Sequence, residues 1–553
     1  MNRAVAPQSA ETTATNVDIK NVTNVFDEDV ETSVADAVHL GVPPSKLSTD
    51  RPAPDSEDVS PTQTAGRPSP QIRASSGATR PTDMREAYRI PNTFLVSTQP
   101  VPPPPSSTTP LIAFVNGRSG GQVGSGLLRV LSESLGAAQV FDLSQVQPGP
   151  VLTSLWTNLE AGESAGDKRA AQVKSTLRVL VAGGDGTVTW VLKAILDLKL
   201  SPPPAVAIMP LGTGNDLSLS LGWGNAFAKS WVQSRRVPSP WDSKGPKGME
   251  ATLQRYAAAH AGTVDCWRVT LAGPRPAHHD ALPHALSVSE TGSMFQCTGL
   301  FWNYLSIGLD AKAAYGFHTL REARPWAASN RLVNQSWYTW FTCSSGWFCG
   351  GAPLRRTLSL RVRRSLPLNQ RRPALEESGE DEAARAEEEW ETVVVPPSIR
   401  AIVLLNLQSY GGGRDIWGLA DKESDSQNFE PFFDDGLIEV VGFGTGWHAA
   451  AVMGQLSPKI HARRLAQGCA VDIRMRGPGA EDQHTFMQVD GEPWKQSLPD
   501  CRDLRIHVAH AGQSAMLFNA DDIQGSGRVR RIAQRATGRA LEGGGLQVTS
   551  AGA

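Results

Sequence analysis

From Leu111 onward the chain changes rhythm. Short unbroken apolar runs, LIAFV at Leu111–Val115, VLVA at Val179–Ala182 and AVAIM at 205–209, each end in a glycine-containing turn that precedes a helical stretch. A run of this length bounded by turn residues predicts a strand buried on both faces. Thr187 to Leu196 places apolar residues at helical spacing, so strands alternate with helices, which predicts βαβ units around a parallel sheet. The pattern lasts to about residue 264. Beyond it CWRVTL, FWNYLSIGL, TLSLRVR, IRAIVLLNL, GLIEVVGF, CAVDIRM, TFMQVDG and DLRIHVAH read as strands, mostly without helices between them. The expected fold is therefore a three-layer α/β domain with a parallel sheet over 110–264, then a β-rich, sandwich-like domain over 265–520. Insertions are expected near 272–293 and 365–397. Residues 1–109, rich in Ser, Thr, Pro and acids without an apolar period, are expected to be a disordered tail, and 521–553 a flexible one.

Composition narrows the chemistry. The 553 residues carry a net charge of −2, which gives no overall case for nucleic acid as a partner. The six cysteines form no C-x-x-C pair, against zinc modules and a disulfide framework. No run of about 18 apolar residues occurs, and the first residues lack a signal peptide's order, so a cytoplasmic protein or one lying on a membrane is expected. His278, His279 and His284 have only Asp280 as an acidic neighbour and read as surface histidines. DKESDSQNFEPF at Asp421 lacks the glycine and final glutamate of a calcium loop.

Three glycine turns carry the candidate site. NGRSGG contains Asn116, Ser119, Gly120 and Gly121; GGDGT contains Gly183, Gly184, Asp185, Gly186 and Thr187; LGTGND contains Gly212, Thr213, Gly214, Asn215 and Asp216. Each lies after a predicted parallel strand, and the carboxyl ends of such strands line one ligand crevice. The motifs of P-loop and dinucleotide enzymes are absent, as are V-A-I-K and H-R-D. What remains is a phosphate cradle of glycine amides and small hydroxyls. Asp185 and Asp216 are available in it to hold Mg²⁺ or to accept a proton.

In order, GGDGTVTWVL, MPLGTGNDLSLSLGWG, NYLSIGLDAKAAYGFHTLRE, NLQSYGGGRDIWG, DDGLIEVVGFG, RRLAQG and QVDGEPWKQ resemble the diacylglycerol kinases, in the larger group that includes sphingosine, ceramide and NAD kinases. The resemblance covers most of 111–518, and WYTWFTCSSGWFC is similar to plant-type members. It implies a catalytic domain, an accessory β-rich domain, ATP and Mg²⁺ as donor and metal, diacylglycerol as substrate, and peripheral contact with a cytosolic membrane face. It implies that Asp185 places nucleotide and metal, and that Asp490 in VDGEPW is the base with Glu492 beside it. The roles can also be exchanged, with Asp185 as base and Asp490 in the metal network. On sequence alone Asp490-Gly491 is equally a hairpin turn. Gly117 stands where the family's first motif commonly has proline, which puts the rigidity of that loop in question. A sphingoid-base or ceramide kinase, and a catalytically dead lipid-sensing scaffold, are the competing readings. The aromatic stretch Trp326–Phe348 and the arginines that follow, among them Arg361 and Arg363, read either as a packed core and a solvated strand face or as a membrane-facing surface.

Overall fold

The structure, a computed structural model, describes residues 87–95, 109–119, 123–212, 214–225, 246–274, 282–283, 285–291, 294–324, 341, 353–370, 390–417, 429–453, 460–477, 484–498 and 503–519. The aromatic stretch around Trp337, the three histidines, the Asp421 loop, and Gly120, Gly121 and Thr213 lie outside these residues, Phe341 excepted.

Strands β1 (Leu111–Val115), β2 (Val140–Asp142), β3 (Arg178–Gly183) and β4 (Ala205–Pro210) pair in parallel in the order β4-β3-β1-β2. Helices α1 (Val123–Leu135), α2 (Pro148–Ser164), α3 (Lys168–Thr176), α4 (Asp185–Asp197), α5 (Asp216–Ser220) and α6 (Pro246–Ala258) complete this part. Every residue of β1 is buried because alternate side chains serve two cores. Ile112 and Phe114 pack in a cluster with Leu155 of α2 and Val188 of α4, whereas Leu111, Ala113 and Val115 pack in another with Leu127 of α1 and Met249 of α6. The predicted three layers result. The chain moves from β1 outward to β2 and then returns to the other side of β1 for β3, which opens a crevice beyond the carboxyl ends of β1 and β3.

The rest is a sandwich. One layer contains β5 (His260–Pro274), β6 (Leu286–Thr291), β7 (Met294–Phe301), β9 (Leu358–Arg363), β10 (Trp390–Val393), β14 (Ala470–Arg476) and β17 (Asp503–Phe518). The other contains β8 (Tyr304–Gly308), β11 (Ala401–Leu405), β12 (Ile438–Phe443), β13 (Arg463–Gly468), β15 (His484–Val489) and β16 (Glu492–Ser497), ordered β13-β12-β11-β8-β15-β16. Between them Leu271, Ile473 and Ile506 of the first layer pack with Ile307, Leu404 and Met487 of the second, all fully buried. Among the described residues, helices α7 (Leu309–Ala323) and α8 (Gly446–Met453) interrupt the strand series.

The structure departs from the sequence reading in three ways. The first sandwich layer and the parallel sheet are one eleven-stranded sheet, because β17 pairs antiparallel with β5 from Arg505↔Ala272 to Phe518↔His260 and also meets β4 at Met516↔Val206. The register shift between His510 and Gly512 breaks the alternation of β17, which hid its second half from a period-based reading. Residues 286–291 and 390–393, each inside a segment read as an insertion, form β6 and β10 and pair with β7 and β9. Within the presumed tail, Tyr88, Ile90, Phe94 and Leu95 are buried, tied down by Gln139, whose Oε1 accepts the Ile90 N–H at 3.0 Å and whose Nε2 donates to the Tyr88 carbonyl at 2.9 Å. Four apolar residues without regular spacing leave no periodic signal.

Ile506 lies in β17 at the centre of the sandwich core. Ile506→Ala is expected to destabilise the protein by about 2–5 kcal/mol, read as a lower urea midpoint.

Candidate active site

The three glycine turns do converge, and their local structure explains the glycines. β3 passes into α4 almost without a loop, since Gly184 is already the residue before the helix. A Cβ on Gly183 would stand 2.5 Å from Cβ of Thr187, and one on Gly212 would stand 2.6 Å from Cα of Gly184. Only glycine lets the turns after β3 and β4 touch backbone to backbone. The turn after β1 joins them through Asn116, whose Nδ2 donates to Oγ1 of Thr187 at 3.0 Å across the crevice. Asn116 also fixes its own loop: its Oδ1 accepts the Arg118 N–H at 3.1 Å and its carbonyl accepts the Ser119 N–H at 3.0 Å. Side-chain and main-chain bonds thus hold the turn that Gly117 leaves without a proline.

Into this cradle the fold places the acids. Asp185, in the first turn of α4, accepts the Asp216 N–H on Oδ2 at 3.0 Å and the Leu217 N–H on Oδ1 at 3.3 Å, and so caps α5. Asp216 in turn accepts the Ser409 hydroxyl at 2.7 Å and the N–H groups of Gly412 and Gly413 at 2.8 and 3.1 Å, all on Oδ1. A methyl on Gly214 would lie 3.5 Å from Oδ2 of Asp185 and 3.6 Å from Oδ2 of Asp216, so both carboxylates border the same space. Burial, reinforced by the charges of Asp216 and then Asp490, pushes the Asp185 carboxyl up to about 7.

The Asp490-Gly491 hairpin supplies the remaining acids. Both residues have positive φ, 47° and 86°, with Val489 paired to Glu492, which is a two-residue turn matched to strand twist. The hairpin reading is therefore right, and the turn also aims a carboxylate inward. Asp490 accepts the N–H groups of Trp302, Asn303 and Tyr304 at 3.0, 2.9 and 3.0 Å. Burial pushes its carboxyl up to about 7 against these three bonds, with Glu492 adding to the rise. Glu492 differs from the other three. It is half-buried, no hydrogen bond or ion pair to a described residue engages it, and its Oε1 lies 3.4 Å from where a Cβ of Gly186 would stand.

Not every residue expected to meet nucleotide faces the crevice. Asn215 is buried in a left-handed conformation and closes its own loop: Oδ1 accepts the Gly212 N–H at 3.0 Å, and Nδ2 donates to the carbonyls of Gly212 and Asn225 at 2.8 and 2.7 Å. The Gly212 amide is thereby spent within the loop. Sequence reasoning assigned no role to Ser409, Gly412 and Gly413, which hold Asp216, or to the backbone of 302–304, which holds Asp490. The glycine run in SYGGG was the available signal, since three consecutive glycines bring main-chain N–H groups against an acid.

Comparison with known proteins follows the same division. Residues 110–239 match the family model for the diacylglycerol kinase catalytic domain and 300–493 that for the diacylglycerol kinase accessory domain. Diacylglycerol kinase 1 of Oryza sativa subsp. japonica is 38% identical over 429 residues, covering 74% of this chain and 79% of that one. Diacylglycerol kinase 5 of Arabidopsis thaliana is 36% identical over 439 residues, covering 75% and 79%.

The raised Asp185 carboxyl has a consequence for pH. The folded state binds this proton more tightly than the unfolded chain, whose carboxyl has its ordinary value of 3.8, so the Asp185 contribution to stability is full below about pH 4 and is lost as pH rises through about 7. The stability difference between wild type and Asp185→Asn, from urea midpoints between pH 4.5 and 7.5, is expected to shrink as pH rises. A difference independent of pH would contradict the raised value.

Proposed function

The chain belongs to the diacylglycerol kinase family, and on that premise we propose that it transfers the γ-phosphate of ATP to the free hydroxyl of diacylglycerol, giving phosphatidic acid and ADP. The observation that carries this reading is the meeting of three glycine turns with four acids at the carboxyl ends of β1, β3 and β4. No helix among the described residues is long and apolar enough to cross a membrane; the proposed substrate is a bilayer lipid, and the reaction so calls for peripheral contact with a membrane surface.

Phosphate binding is assigned to the turns. The first-turn N–H groups of α4, at Asp185 and Gly186, have no partner inside the helix and lie at the positive end of its dipole. With Ser119, Thr187 and Gly214 they would meet the phosphates, while Asn116 and Gly183 hold the turns in register. Gly184 and Gly212 give the close approach, and Asn215 keeps the Gly212 loop shut. A carboxylate in such a pocket repels phosphate unless a cation stands between them. Asp185 and Asp216 fit that task, because their Oδ2 atoms border one space and like charge next to Asp185 favours a cation there. Mg²⁺ bound at this place supplies charge neutralisation for the transferring phosphoryl group.

The substrate proton is assigned to Glu492. A general base must offer a free lone pair within reach of the proton it takes. Asp185, Asp216 and Asp490 are each engaged by two or three donors from neighbouring segments, which suits them to holding geometry. Among the described residues no such donor reaches Glu492, which stands beside Gly186, at the start of the helix that would receive the phosphates. Asp490 then positions Glu492 two residues along the same hairpin.

The test is phosphate transfer from labelled ATP into mixed micelles, with diacylglycerol, ceramide and sphingosine offered in parallel. Phosphatidic acid is the expected product, and labelling of sphingosine or ceramide alone would move the chain to the other lipid kinases. Glu492→Gln is expected to lower kcat by roughly 10²- to 10⁴-fold with KM for ATP little changed, and near wild-type kcat would return the base to Asp490 or Asp185.

A further inference from the structure

The outer face of the first sandwich layer is a field of arginines. On β14 the inward residues Val471, Ile473 and Met475 are buried in the core, and Asp472, Arg474 and Arg476 alternate with them on the other side. Register carries that side across the neighbouring strands. Asp472 lies opposite Arg361 of β9 and His507 of β17, Arg474 opposite Arg505, Arg476 opposite Asp503, and Ala509 opposite Arg268 of β5. Arg363 faces the same way, two residues beyond Arg361. Among the described residues, six guanidinium groups therefore share this sheet face with two carboxylates.

Part of this arrangement is unfavourable in the isolated molecule. Like charges directly opposite each other across strands are destabilising, and Arg474 faces Arg505 in that way. A single buried carboxylate compensates three of the arginines: Asp472 meets Arg505 at 2.9 Å, Arg361 at 3.0 Å and Arg474 at 3.7 Å. Those arginines remain 52%, 27% and 48% exposed. Arg361 is further held under the ring of Trp390 at 5.3 Å, yet its Nε is buried without an acceptor. Arg361, Arg474 and Arg505 are thus held by one shared carboxylate while still partly exposed, on a face whose strands span about 15 Å from β9 to β5 at the usual inter-strand spacing. Planar, fixed guanidinium forks suit phosphate oxygens better than flexible lysine ammonium groups do.

We propose that the outer face of β9, β14, β17 and β5 docks the protein on the phosphate headgroups of an anionic membrane. The breadth of the face fits several headgroups at once rather than one soluble phosphate. The choice of a membrane as partner rests on the lipid-kinase reading; the charge pattern does not.

The test is co-sedimentation of the full chain with vesicles of phosphatidylcholine, alone or with phosphatidylserine, without diacylglycerol and at fixed salt. Wild type is expected to prefer the anionic vesicles, with binding that weakens as salt rises. In the triple variant Arg268→Gln/Arg474→Gln/Arg476→Gln, which leaves Arg361, Arg505 and Asp472 in place, affinity for anionic vesicles is expected to fall on the order of a hundredfold, about fivefold per arginine. Its phosphate transfer in neutral-detergent micelles is expected to be unchanged, which also reports an intact fold. Ser359→Glu, opposite Arg474, adds a negative charge to the same face without removing an arginine and is expected to weaken vesicle binding in the same direction. Equal binding of wild type and triple variant to anionic vesicles, or equal wild-type binding to neutral and anionic vesicles, would overturn the proposal. So would tighter wild-type binding to duplex DNA than to vesicles, lost in the triple variant. A wild type that binds anionic vesicles but phosphorylates no lipid in micelles would sink the kinase reading and leave the docking face standing.

Discussion

Three buried carboxylates stand close enough to feel one another, and the molecule is arranged around the need to make that tolerable. A buried charge without partners is expensive, and neighbouring like charges raise the cost. Each acid is relieved by donors from another part of the chain. Asp185 of α4 is met by the start of α5, Asp216 by Ser409, Gly412 and Gly413 of the sandwich, and Asp490 by the backbone of 302–304. Two of these three relationships tie segments distant in sequence, and Asp216 is an acid of the α/β part held by donors of the other. The acid cluster of the candidate site is therefore assembled from both parts, and its geometry depends on the interface between them.

The continuous sheet serves the same end. If β17 ended where its apolar alternation ends, no strand pairing among the described residues would join the α/β part to the sandwich. By running on to Phe518 beside β5 and touching β4, it links a core strand of one part to the sandwich through main-chain hydrogen bonds. Side chains reinforce the link, with Trp302 Nε1 donating to Ser514 Oγ at 2.9 Å and Trp223 Nε1 to the Leu517 carbonyl at 2.7 Å. A rigid link suits phosphoryl transfer, where alignment and charge placement do most of the catalytic work.

Much of this was legible in the sequence. Unbroken apolar runs report strands buried on both faces directly, and glycine turns after them report where phosphates can be met, so β1, β3, β4 and their turns were placed from periodicity and punctuation. What escaped had no local signal. The order of strands β9, β14 and β17 is set by pairings more than 100 residues apart in part, such as Arg361 with Asp472, and nothing in either strand names its partner. The anchoring of Tyr88 and Ile90 depends on Gln139, which reads as an ordinary polar residue. The division of labour among the acids was equally invisible, because carboxylates are alike on the page and differ only in which N–H groups reach them.

On the proposed assignment, that difference divides the work of the site. An acid held by three main-chain donors is a poor acceptor for a substrate proton, since taking the proton means weakening bonds that keep the hairpin on β8. An acid with no such bonds can change protonation without moving the frame. Asp490 and Glu492 are two residues apart on one turn, and their environments differ in the way the proposed roles require, one to hold and one to react. The Asp-Gly-Glu sequence so reads as a mechanical unit. Aspartate seats the turn, glycine allows its positive φ, and glutamate is presented at the first strand position beyond, beside the first turn of α4.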